Sequence, residues 1–322
     1  MKSLLVSSMI AVGLAVFVAA PVQAAWPEKP VKVIVPFKPG GSSDQTARTF
    51  QKAIVDNNLK SQKLTIVNVG GHYTIGSRQV LEAKPDGYTF LLVHKALMGA
   101  QGSGMIDFGH ANFEPVAETS EFCLLSCVRK DDKRFTDVNS LLKMATDKPD
   151  SLIFGANLGA LNHMAGIQLQ NTTPGANFRF VQIGGGTANF TALIGEQTDT
   201  TVLSMAEYLN FKVKGVKGLC YMFPTRAPGA PEVPTCEEAG LGKLVYCVGS
   251  WWFAPKGTPK EAVDGLADVL EKAMETDYVK TMLKKKAMAA TFVRGAAFAK
   301  KLDATYKIVE PTAKQAGKKK KK

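Results

Sequence analysis

The chain has 322 residues, a hydrophobic fraction of 45% and a formal net charge of +12, which falls to +6 once the charges of Lys2 and of Lys318 to Lys322 are set aside. This length exceeds one typical core, so two domains or one interrupted domain are expected. The absence of interleaved basic and aromatic residues argues against a nucleic-acid partner, and no stretch after the first 24 residues approaches the roughly 20 apolar residues of a membrane span.

Residues 1–24 carry one early charge (Lys2), an apolar run from about Met9 to Ala20, and Val22-Gln23-Ala24 as a small-residue cleavage site. The pattern predicts a signal peptide cut after about Ala24, and hence an exported chain. Val31, Val33, Ile34 and Val35 then predict a buried strand, Pro36 to Gly41 break it, and Ser42 opens a helix whose apolar face is Ala47, Phe50 and Ile54. Glycine lets backbone approach a ligand, and the first amides of a helix have no intrahelical partners, so this turn can hold an anion. Ser42 with Gln45 also fits a capping box, in which side chains satisfy those amides instead. No Gly-Lys-Ser/Thr phosphate loop and no G-x-G-x-x-G follows the strand, so a small carboxylate suits the turn better than a nucleotide.

Leu64 to Val69 and Thr89 to Val93 predict two more strands, with a helix through Val80 to Ala83 between them. Alternating strands and helices imply a parallel sheet covered by helices, with ligands beyond the carboxyl ends of the strands. Phe122 to Val128 leads into a second region of the same build. Gly155 to His163 follows the strand Leu152 to Phe154, and Gly184 to Thr187 follows Phe180 to Ile183, each opening a helix. Strands are predicted over Thr200 to Leu203, Gly215 to Tyr221 and Val245 to Pro255, the last returning the chain to the first region. Thr258, Pro259 and Glu261 predict a capped helix start, and a last helix runs from about Gly295 to Ala316.

Five cysteines in an exported chain raise the question of disulfides. Cys123 and Cys127 would lie about 13 Å apart along one strand and cannot bridge each other. Cys220 with Cys236, or Cys127 with Cys247, remain open, and the odd number leaves at least one free thiol. None of them has metal-ligand spacing, and no metal or cofactor is expected.

Several motifs together resemble one family. They are Trp26 to Pro30, Val35 to Asp44 (Val-Pro-Phe-Lys-Pro-Gly-Gly-Ser-Ser-Asp), Lys84 to Thr89, Gly184 to Thr187 with Gly195 to Asp199, Pro234 to Gly240, and Trp252 to Pro259. Spread over nearly the whole mature chain, they resemble the periplasmic solute-binding proteins of tripartite tricarboxylate transporters, the Bug family. The resemblance implies an α/β type II periplasmic binding protein fold, with two α/β domains joined by a hinge and the ligand cleft between them. Mapped here, domain 1 comprises 25–124 and 247–317, domain 2 comprises 125–246, and 318–322 form a disordered lysine tail. It also implies a periplasmic monomer, without catalytic residues, that closes on a small organic mono- or dicarboxylate, aliphatic or aromatic. The integral membrane subunits of the transporter would receive the cargo. A receptor that signals through a sensor kinase uses the same two-state body and stays open as an alternative.

In that family the ligand is gripped by two loops, here Phe37, Lys38, Pro39, Gly40, Gly41, Ser42, Ser43 and Asp44, and Ala156, Asn157, Leu158, Gly159 and Ala160. Gly186, Thr187 and Asp199 match positions at or near the pocket. The chain departs from the family at Lys38, where proline is usual, at Gly71, His72 and Tyr73 after the second strand, and at His94 and Lys95 after the third. These residues join the candidate site. His72 and His94 can donate to the anion or titrate between about pH 5 and 8, a reading set against the commoner one of a hydrogen-bonded structural histidine. One of Trp251 and Trp252 is expected to line the cleft. An exported hydrolase using Ser42 or Ser43 with a histidine and Asp44 lacks a G-x-S-x-G elbow and is set aside.

Overall fold

Two β-branched runs and one run centred on Phe and Leu build the first part of the sheet in this computed structural model, which describes residues 26–59 and 62–318. The expected leader, 1–24, and the terminal lysines from 319 onward lie outside the described residues. Strand β1 (Val31–Val35) pairs in parallel with β2 (Leu64–Asn68) and β3 (Thr89–Val93). The crossovers are α1 (Ser42–Asp56), which buries Ala47, Phe50, Ala53 and Ile54, and α2 (Tyr73–Leu81). A short helix, α3 (Ala96–Gly102), follows β3.

The next strand, β4 (Phe113–Arg129), is 17 residues long and begins nine residues before the apolar run that predicts it. Glu114, Pro115, Glu118 and Glu121 hide its first half from an apolar-pattern reading. Tertiary partners make that half tolerable. Glu118, fully buried, accepts bonds from Trp251 Nε1 (2.9 Å), Thr291 Oγ1 (3.1 Å) and Lys301 Nζ (2.6 Å). A buried charge needs such pairing.

The second region contains α4 (Val138–Asp147), β5 (Ile153–Ala156), α5 (Leu161–Asn171), β6 (Arg179–Gln182), α6 (Gly186–Ile194), β7 (Thr200–Ser204), α7 (Met205–Phe211) and β8 (Val216–Tyr221). There β5 runs parallel to both β6 and β7. The chain returns through β9 (Cys247–Pro255), then α8 (Lys260–Glu275), α9 (Asp277–Lys285), β10 (Ala289–Arg294) and α10 (Gly295–Lys318). The expected box at Thr258 does not form. The Thr258 hydroxyl donates to Pro255 O (2.8 Å), the helix starts at Lys260, and Glu261 accepts from the Trp26 amide (3.1 Å).

The strand order is β2-β1-β3-β9-β4-β7-β5-β6, with β8 and β10 also paired to β4. The sheet is therefore mixed: the first half of β4 pairs with β9 and β10, and the second half with β7 and β8, all antiparallel. One strand is thus shared by two α/β lobes. At the changeover, Cys123 faces Cys247 in the β4–β9 register and the two form a disulfide. This direct opposition rules out a Cys127–Cys247 bridge; Cys220 pairs with Cys236, and Cys127 is a buried free thiol. Both tryptophans of β9 pack in the core. Trp251 bonds Glu118, Trp252 Nε1 donates to Thr119 Oγ1 (2.9 Å), and neither reaches the cleft.

Candidate functional site

Three helices begin at one place without side-chain caps. The N-cap of α1 is Gly41, not Ser42, so the predicted Ser42–Gln45 box is absent; Gln45 Nε2 instead donates to Gly40 O (2.8 Å). Gly40 takes φ +84°, a conformation that favours glycine. Asp44 fixes this turn, accepting from Gly40 N (2.9 Å) and Arg48 Nε (2.9 Å).

The second start is α5, whose N-cap, Ala160, has no side-chain acceptor, and which follows Gly159 at φ +80°. Asn162 shapes the loop by accepting from Asn157 N (2.9 Å) and donating to Gly184 O (3.1 Å). Gly184 belongs to the third start, where Gly185 caps α6, again with no side-chain acceptor. The partial positive charge of helix N-termini adds where several converge.

These starts surround a cavity of about 60 Å³, walled also by Phe37, Lys38, His94, Phe122, Leu124, Leu161, Val202, Ser204 and Glu207. Phe122 and Leu124 flank Cys123, so the cavity sits over the changeover of β4. A wider hollow of about 650 Å³ shares Phe37, Lys38 and Gly185 and adds Gly71, His72, Met105, Leu158 and Gln182.

His94 is 7% exposed, stacks on Phe37 with ring centroids 4.7 Å apart, and accepts the Ala96 amide on Nδ1 (3.2 Å). Burial, and secondarily the charge of Lys95, lower its pKa to about 3. The expected titration between pH 5 and 8 therefore does not occur: His94 is a neutral imidazole with its proton on Nε2, a fixed donor. Asn157, 1% exposed, accepts from Gln182 Nε2 (3.1 Å), while its own Nδ2 has no hydrogen-bond partner. His72, which precedes α2, reaches the loop before α5, with Nε2 3.2 Å from Leu158 O. Lys95 lies with Nζ 3.7 Å from the Tyr246 ring centroid instead of at the cavity wall.

Of the residues singled out from the sequence, Phe37, Lys38, Gly41, Ser42, Ser43, His94, Asn157, Ala160, Gly186 and Thr187 line the cavity. Gly71, His72 and Leu158 line the wider hollow, and Gly159 a smaller one beside it. Pro39, Gly40, Asp44, Tyr73, Ala156 and Asp199 line none of these three. Asp199 instead accepts from Ile153 N (2.7 Å) and Arg134 Nη2 (2.6 Å), which joins β5 to the loop before α4. Sequence reasoning missed Ser204 and Glu207, although Ser-x-x-Glu is a readable capping box and forms at the start of α7.

Residues 47–311 match the model of the tripartite tricarboxylate transporter family receptor. The chain belongs to this family. Its members are solute-binding receptors and not enzymes. A UPF0065 protein from the tcbD–tcbE intergenic region of Pseudomonas sp. strain P51 is 30% identical over 268 residues, covering 81% of this chain and 78% of the relative. MatC from Rhodopseudomonas palustris with bound malate superposes with a TM-score of 0.81 at 24% identity, covering 89% of this chain and 100% of that one. R. palustris Rpa4515 with adipate gives 0.82 at 24%, covering 91% and 98%. The periplasmic binding protein BugD superposes with a TM-score of 0.78 at 25% identity, covering 91% of this chain and 98% of that one, so the two-lobed α/β architecture is the type II periplasmic binding protein fold. Among the described residues no helix of this receptor is long and apolar enough to cross a membrane, and no cluster of three or more His, Cys, Asp or Glu forms a metal site.

Proposed function

We propose that this receptor works in the periplasm, capturing a small organic mono- or dicarboxylate between its lobes and delivering it, as a monomer, to the integral membrane subunits of a tripartite transporter. The observation that carries the reading is the meeting of three helix starts whose N-cap residues, Gly41, Ala160 and Gly185, supply no side-chain acceptor with two further donors, His94 Nε2–H and the unpartnered Asn157 Nδ2, around one cavity. Hydrogen bonds from such groups to a charged acceptor are worth roughly 1.5–3 kcal/mol each. The malate and adipate bound by the two R. palustris proteins support the same ligand class.

The lobes divide at residues 124/125 and 246/247, where β4 changes partners and β9 begins, so 25–124 with 247–317 move against 125–246. Ligand bridging both lobes favours the closed state and shifts its population, and the membrane subunits read that state. Calorimetry across a panel of aliphatic and aromatic carboxylates should show binding heat, and small-angle scattering should show compaction with the same ligands. Absence of both across the panel would refute the reading. Native mass spectrometry of protein purified from its host should reveal the retained acid.

A further inference from the structure

One of the anion positions is already filled by the protein. Glu207, 6% exposed, projects from α7 to the N-terminus of α1. There Oε1 accepts the Ser42 amide (3.3 Å), while Oε2 accepts the Ser204 amide (2.9 Å) and the Ser204 hydroxyl (2.9 Å). The Ser42 and Ser204 hydroxyls are hydrogen-bonded to each other, so both serines serve this carboxylate. Across from it, the backbone of Gly186 approaches so closely that a β-carbon there would overlap the Glu207 carboxylate. No lysine or arginine is paired with Glu207 among the described residues; burial pushes its carboxyl above the usual range, and the Ser204 amide and hydroxyl and the Ser42 amide, all donating to it, work the other way and favour the ionised form.

A carboxylate offers about four acceptor sites and no donor. Glu207 uses one long bond on Oε1 and two bonds on Oε2, and it lines the cavity, so Oε1 retains accepting capacity. A ligand carboxylate placed beside it would meet a like charge that has no ion-pair partner of its own, in a small space where Phe37, Phe122, Leu124, Leu161 and Val202 share the wall with Lys38, His94 and Asn157. The starts of α5 and α6, with His94 and Asn157, leave donors for one acid on the other side.

We propose that Glu207 determines ligand specificity: the cavity takes an acid with a single carboxylate and a hydroxyl or amine beside it, which donates to Oε1, and rejects a second carboxylate. This inference rests on the carboxylate-receptor reading and narrows it. Malate- and adipate-type diacids, which the structural neighbours hold, are then poor ligands here.

The test is calorimetry on matched sets built on four-carbon, six-carbon and phenylacetic skeletons: the plain monoacid, its 2-hydroxy and 2-amino forms, and the diacid. Wild-type protein should bind a 2-hydroxy or 2-amino acid at least about tenfold tighter than the plain monoacid and the diacid of the same skeleton, a difference of about 1.4 kcal/mol. In Glu207→Gln, which keeps the shape and adds a donor, the margin over the diacid should fall below about threefold. A diacid that binds wild type as tightly as the hydroxy acid overturns the inference, as does a margin that E207Q leaves unchanged. The wild-type ranking decides the matter even if E207Q folds poorly. Heat from no ligand in any set would overturn the receptor reading itself, and this inference with it.

Discussion

Replacing His94 by glutamine should flatten the acid side of the stability profile. In the fold the ring stays neutral down to about pH 3, because burial at the cavity wall, together with the charge of Lys95, opposes protonation. In the unfolded chain it takes up a proton near the ordinary value of 6.5. Between these two values the unfolded state binds more protons, so stability is fully present above pH 6.5 and is lost as the pH falls, at about 1.4 kcal/mol per unit. From pH 7 to pH 5 the loss due to this one residue is about 2 kcal/mol. Urea unfolding of wild type and H94Q at both pH values isolates it, since every other titrating group is common to the two proteins. Wild type should lose about 2 kcal/mol more than H94Q on acidification. Parallel profiles would mean that the ring is protonated in the fold, and the assignment of Nε2 as a fixed neutral donor to the ligand would fail with them.

Lys301→Met should cost about 2–4 kcal/mol, because it removes the ammonium nearest the fully buried Glu118 carboxylate, though Lys301 is itself part-exposed. The melting temperature should fall by about 5–12 °C, and a drop under about 2 °C would show that Trp251 and Thr291 suffice. Thiol titration should find one reactive cysteine in denaturant and none in native protein: four cysteines are bridged, and burial raises the Cys127 pKa. Three or more thiols in denaturant would contradict the pairing. Gly99→Ala adds a methyl where α3 of one lobe meets the Gly159 carbonyl and the Met164 thioether of the other. Overpacking of about 1–3 kcal/mol should wedge the lobes apart, weakening ligand binding about 5- to 150-fold and raising the radius of gyration, with little change in unliganded melting. Unchanged affinity with a lowered melting temperature would place the cost elsewhere.

The repeated strand, glycine turn and helix were legible from residue types alone, because β-branched runs, left-handed glycines and apolar helix faces are local signals. For the same reason ten residues of the candidate loops and strand ends fall on one cavity. What the local pattern hid was every place where a distant partner compensates a polar group. Glu118 sits inside β4 only because Lys301, Thr291 and Trp251 reach it. Asp199, the last residue of the Gly195 to Asp199 motif, accepts from Arg134 and the Ile153 amide, partners that lie 65 and 46 residues away.

By itself the sequence determined an α/β chain with glycine turns that present unpaired amides, since backbone preference and hydrophobic period act over a few residues. Tertiary structure alone decided which of those amides stay vacant and which meet a carboxylate of the chain's own. Ser42 and Glu207 are 165 residues apart, and no local propensity reports a contact made at that separation. The same holds for the neutrality of His94, which follows from its burial between lobes and not from its neighbours in the chain.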